Sequence, residues 1–128
     1  MIERITMTGI PAPRGPYSPA VRAGDFIFVS GQGPIDPETN QFSFGDIKWE
    51  TRIVLNNIRR ILEGAGATMT DVVRCTVFLA DGDDFAAMNE VYEKFFGEAK
   101  PARTTVEAKF AVKEMRVEID CIAYKPRG

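Results

Sequence analysis

Two stretches of this chain carry the 3.6-residue spacing of a helix, and each is set between stretches that alternate with period two. Over residues 46–63, Ile47, Thr51, Val54, Leu55, Ile58, Ile61 and Leu62 form one stripe, and Gly64 and Gly66 stop it. Phe85, Met88, Tyr92 and Phe95 repeat the spacing over residues 85–96, with Gly97 at the end. Around these segments, residues 2–7, 20–22, 26–30, 72–80, 103–110 and 115–124 read as strands. The order is β-β-β-α-β-α-β-β. Two strand-helix-strand crossovers of the usual right hand place both helices on one face of a single mixed sheet. The expectation is one α+β domain over residues 1–128 whose opposite sheet face is left uncovered. A half-apolar bare face calls for self-association, with a site at the edges between subunits.

The connections are read from their breakers. Residues 9–19 hold four prolines and run extended, because proline removes a donor and restricts the residue before it. Ala23-Gly24-Asp25 makes a hairpin turn, and residues 36–40 form a loop. Asp81, Asp83 and Asp84 miss the ligand spacing of a calcium loop and fit helix capping. Gly31-Gln32-Gly33 is followed by Pro34 and opens no helix, which rejects a dinucleotide loop.

Composition removes several functions. The net charge of -2 and the lack of any basic run argue against nucleic acid as a partner. No stretch approaches the roughly 20 apolar residues of a membrane span, and Met1-Ile2-Glu3-Arg4 does not lead into a signal-peptide core, so the cytoplasm is the expected location. With no histidine, a Ser-His or Cys-His nucleophile cannot be built, and zinc sites of the usual kind are nearly excluded. Cys75 and Cys121 fall on apolar strand faces and read as buried, reduced thiols. Any chemistry must rest on carboxylates, arginine, hydroxyls and backbone.

Arg103 and Glu118 are the residues to which that argument leads. Alternation puts Arg103, Thr105, Glu107 and Lys109 on one face of their stretch, and Arg116, Glu118 and Asp120 on one face of the next. If these last two strands pair as a hairpin, with Val106 opposite Val117, then Glu107 faces Arg116 and Lys109 faces Glu114. Arg103 and Glu118 then share one polar surface, suited to a small carboxylate beside a water. A solvated strand face with rim salt bridges explains the same pattern.

Five segments in order, Gly15-Pro16-Tyr17-Ser18-Pro19-Ala20-Val21, Val29-Ser30-Gly31-Gln32, residues 86–92, Pro101-Ala102-Arg103-Thr104-Thr105-Val106 and Val117-Glu118-Ile119-Asp120, give a close likeness over nearly the whole chain. The chain resembles the Rid (YjgF-like) family of reactive intermediate deaminases. The resemblance implies a chorismate-mutase-like fold, a homotrimer with ligand clefts between subunits, and no cofactor or metal. It also implies hydrolysis of enamines and imines such as 2-aminoacrylate and 2-iminobutanoate to 2-keto acids and ammonia. By position, Arg103 would clamp the substrate carboxylate and Glu118 would act on the attacking water. Tyr17, Ser30, Gly31, Asn89 and Thr105 would line the cleft. Thr105 stands where several bacterial members carry cysteine, and Pro19 replaces a common glutamine. The family also includes members described as holdases and ribonucleases, so a ligand-binding or chaperone protein of the same trimeric fold is the alternative, and a ribonuclease comes third.

Overall fold

Asp46 starts the first helix by accepting the Trp49 backbone N–H at 2.8 Å, and the stripe expected from the sequence is buried along its length. In the computed structural model, which describes residues 1–127, this helix, α1, is Ile47–Gly64 and the second, α2, is Phe85–Phe96. The strands are β1 Ile2–Ile5, β2 Ala20–Ala23, β3 Phe26–Gln32, β4 Ile35–Asp36, β5 Gln41–Phe42, β6 Val72–Leu79, β7 Ala102–Glu107 and β8 Val117–Tyr124. The loop expected at 36–40 is the turn of a short ribbon, β4 against β5. Gly24, at φ +61°, closes the β2–β3 turn in a conformation that glycine adopts without strain.

The main sheet has the order β1-β2-β3-β8-β6-β7, with β6 and β7 parallel and the other pairs antiparallel. α1 packs on β3 and β8 and against α2. Both helices therefore cover one face, and Ile27, Val29, Val77, Ile119 and Cys121 meet Leu55, Ile58, Leu62 and Met88 in the core. The other face carries Phe26, Phe28 and Tyr124, all more than two-fifths exposed.

The expected hairpin of the last two strands does not form, because β6 lies between them. β6 pairs with β7 on one side and with β8 on the other. Val77 is opposite both Thr105 and Ile119, so Thr105 does not face Glu118, nor Arg103 face Asp120. Val106 is 41% exposed on the open face, whereas Val117 is fully buried on the covered one. The two expected ion pairs are absent among the described residues. Glu107 instead accepts the Gly82 N–H at 2.7 Å, and Arg116 donates from Nε to the Gly45 carbonyl at 2.8 Å. The physical reason lies in β8, whose alternating Val117, Ile119, Cys121 and Ala123 are wholly buried. A strand with that much apolar surface is stabilised most at the centre of the sheet under α1, while the more polar β7 takes the edge.

Candidate active site

Register fixes the face of each candidate residue, since side chains directly opposite each other across neighbouring strands point the same way. Arg103 is opposite Cys75, and Cys75 opposite Cys121; both thiols are buried under the helices. Glu118 is opposite Phe78, on the open face. Arg103 and Glu118 of one chain thus lie on opposite faces of the sheet, and a site using both from a single chain is ruled out.

On the helix side, α2 presents Phe85, Asn89 and Tyr92, spaced i, i+4 and i+7, to the edge strand. Arg103 donates from Nη1 to Asn89 Oδ1 at 2.8 Å. Its Cζ lies 4.7 Å from the Tyr92 ring centroid and 5.4 Å from that of Phe85. An open groove of about 920 Å³ borders this cluster; Asn89, Tyr92 and Arg103 line it together with Lys94 and Lys100 and with three carboxylates, Glu90, Glu93 and Glu98. Thr105 follows on the same face, and its buried hydroxyl has no protein partner. The Tyr92 hydroxyl rests against the Cys75 thiol and finds no oxygen or nitrogen partner; burial pushes its pKa far up. Burial also pushes the Cys75 thiol up to about 11 and raises Cys121, so neither is a ready thiolate nucleophile.

On the open side, Glu118 lies over Gly31, where the strand bulges between Val29 and Gln32. A Cβ on Gly31 would stand 2.5 Å from Glu118 Oε2, so the carboxylate can hold this position only over a residue without a side chain and would have to swing away from any other. Burial, and secondarily the like charge of Asp120, hold the Glu118 carboxyl above its usual pKa. Ser30 donates its hydroxyl to the Ser18 carbonyl at 2.6 Å and its N–H to the Pro19 carbonyl at 3.0 Å. These bonds tie the end of the proline-rich segment, just after Tyr17, to β3. Tyr17 is half exposed, and its hydroxyl accepts the Arg14 N–H at 3.1 Å.

The candidates therefore fall into two groups, Arg103 with Asn89 and Thr105 on the helix side, and Glu118 with Gly31 and Ser30 on the other, while Tyr17 stands exposed on the segment that Ser30 ties down. Sequence reasoning missed the aromatic company of Arg103 and the role of Asp120. It also missed Glu50, a fully buried carboxylate that accepts N–H groups from Gly45 at 3.2 Å and Arg116 at 2.8 Å. A charged residue on the apolar stripe of α1, three after Ile47 and four before Val54, was the available signal.

A family model described as endoribonuclease L-PSP matches residues 7–125. A RutC family protein of Pyrococcus horikoshii is 53% identical over 125 residues, which span 98% of this chain and 99% of that relative. The chloroplastic Reactive Intermediate Deaminase A of Arabidopsis thaliana is 38% identical over 121 residues, 94% of this chain and 65% of the plant protein. The chain belongs to the Rid family. Its α+β fold is of the chorismate-mutase-like type and is shared with solved Rid relatives. Escherichia coli TdcF, whose crystal structure holds bound serine, matches with a TM-score of 0.88 and 35% identity over 96% of this chain and 98% of TdcF. No helix among the described residues of this Rid-family chain is long and apolar enough to cross a membrane.

Proposed function

We propose that this chain is a deaminase of the Rid type, hydrolysing small enamine and imine acids such as 2-aminoacrylate and 2-iminobutanoate to 2-keto acids and ammonia. The reaction takes place in clefts between the subunits of a homotrimer. The observation that carries the reading is Arg103: a guanidinium anchored at one nitrogen, beside an open groove, with no carboxylate partner among the described residues. An anionic ligand is the missing partner. A bidentate carboxylate contact would contribute roughly 1.5 to 3 kcal/mol per charged hydrogen bond. TdcF binds serine, an α-amino acid that carries such a carboxylate.

An enamine acid tautomerises to the imine, and protonation of the imine nitrogen makes its carbon electrophilic. Catalysis then needs a held substrate and a placed water more than a strong nucleophile. Arg103 of one subunit holds the carboxylate, and Glu118 of the neighbouring subunit takes a proton from water as its oxygen bonds to the imine carbon. The carbinolamine collapses when that proton passes to nitrogen; the C–N bond breaks, ammonia leaves, and the hydroxyl proton goes to the Glu118 carboxylate as the C=O of the keto acid forms. The opposite faces on which one chain displays Arg103 and Glu118 support dividing the pair between two chains. The bare apolar face supports the association this needs.

The ribonuclease description attached to the family model has little physical support in this chain, which carries a net charge of -2 and no histidine. The test is keto acid and ammonia formation from freshly generated 2-iminobutanoate. Wild type accelerates it, and Arg103→Ala loses both rate and keto acid binding. A wild-type rate equal to that in buffer overturns the reading.

A further inference from the structure

We propose that the α2 stripe of Phe85, Asn89 and Tyr92 is a positioning device that fixes the Arg103 guanidinium and turns one defined edge of it to the substrate carboxylate. This rests on the deaminase reading and adds residues to it. An isolated arginine samples many rotamers, and ordering it on binding costs affinity. Here the ordering is already done. Asn89 Oδ1 takes Nη1, the Tyr92 ring lies under the guanidinium at 4.7 Å and the Phe85 ring at 5.4 Å, both within cation–π range.

Nη1 is the nitrogen held, so the Nε–H and the neighbouring Nη2–H point together along the other edge of the planar group. Neither has a protein partner among the described residues. Two parallel N–H groups match the two oxygens of a carboxylate. The two rings differ in burial: Tyr92 is 8% exposed and packs on Phe96, whereas Phe85 is 45% exposed. Phe85 can be changed without opening the core. Its place on α2 is then explained by the arginine it covers.

The experiment uses Phe85→Leu, Phe85→Tyr and Tyr92→Leu in the assembled protein, with 2-oxobutanoate and its uncharged amide as probes in calorimetry. Loss of one aromatic contact should weaken 2-oxobutanoate binding about three- to thirtyfold. Phe85→Tyr, which keeps a ring, should restore it, and amide binding should not change. In turnover, KM should rise in step with the weaker binding while kcat falls less. A role in packing alone would move acid and amide together. Unchanged 2-oxobutanoate binding in both leucine variants overturns the proposal. NMR of the Arg103 Nε–Hε group, assigned by its loss in Arg103→Lys, separates the two claims. A resolved, slowly exchanging signal in wild type that averages in Phe85→Leu supports the positioning device. An averaged signal in wild type overturns it. If wild type binds no keto acid while the signal behaves as expected, the deaminase reading fails and the positioning of Arg103 stands.

Discussion

Glu118 owes its raised pKa to burial first and to Asp120 second, and in the proposed reaction the form that takes a proton from water is the carboxylate. The rate should therefore rise with pH through the Glu118 pKa, placing the acidic limb of kcat/KM above the ordinary carboxylate range. Asp120→Asn removes the like charge, so the limb should move to lower pH. A pH–rate profile that is identical in the two proteins would separate Glu118 from the acidic limb. Glu118→Gln keeps the shape but loses the basic oxygen, and turnover should fall roughly a hundred- to ten-thousandfold with keto acid binding little changed. At this scale the sequence displayed the reactive groups, because a histidine-free chain leaves few residues for proton transfer. It did not display Phe85 and Tyr92 as neighbours of Arg103. Helical spacing gave them a common stripe, and only the docking of α2 beside β7 gives that stripe an arginine to hold.

Elements carry the next layer of control. Glu50 links the start of α1 to Gly45 and Arg116, so Glu50→Ala takes the partner from two part-buried N–H groups and empties a fully buried site. Unfolding in urea should show a loss of about 2 to 4 kcal/mol, and a change below about 0.5 would contradict this role. Desolvation raises the Glu50 pKa in the fold, against the opposing pull of those two N–H groups. The folded state then binds the proton more readily than the unfolded chain. The Glu50 contribution is present in acid and is lost as pH rises from the usual carboxylate value through the folded one. Glu50→Gln should flatten that dependence. Gly31→Ala acts differently: the added Cβ needs the space of Glu118 Oε2, a side-chain end that can swing away. Stability should change by less than about 1 kcal/mol while turnover drops roughly a hundredfold. A fully active Gly31→Ala would show that the position of Glu118 is not critical.

The same scale shows where sequence reading stopped. Both helices were legible to within a residue, because a 3.6-residue period and its glycine stops are local signals. The neighbour of each strand was not. Alternation assigns a residue to one of two faces but does not name the strand beside it, and β8 follows β7 in the chain only to insert between β3 and β6. The polar run of Arg103, Thr105 and Glu107 was therefore matched to the wrong partner, and Glu118 changed faces with it.

For the whole molecule, the open sheet face is the feature that a single chain leaves unresolved. Phe26 and Tyr124 meet edge to face at 5.2 Å between ring centroids, with Phe28 next to them, all exposed to water in a lone subunit. The proposed association would bury these rings. Phe28→Asp should break the assembly at micromolar concentration, read as a single-chain mass by light scattering; an unchanged mass would place the interface elsewhere. The central claim is that each cleft takes Arg103 from one chain and Glu118 from its neighbour. Its most direct test mixes two inactive proteins, Arg103→Ala and Glu118→Gln, by refolding them together in equal amounts. Random assortment puts an intact Arg103 across from an intact Glu118 in roughly a quarter of the clefts of a cyclic trimer. Imine hydrolysis should therefore recover to about a quarter of the wild-type rate. Mixed trimers that stay as inactive as their parents would contradict the shared site.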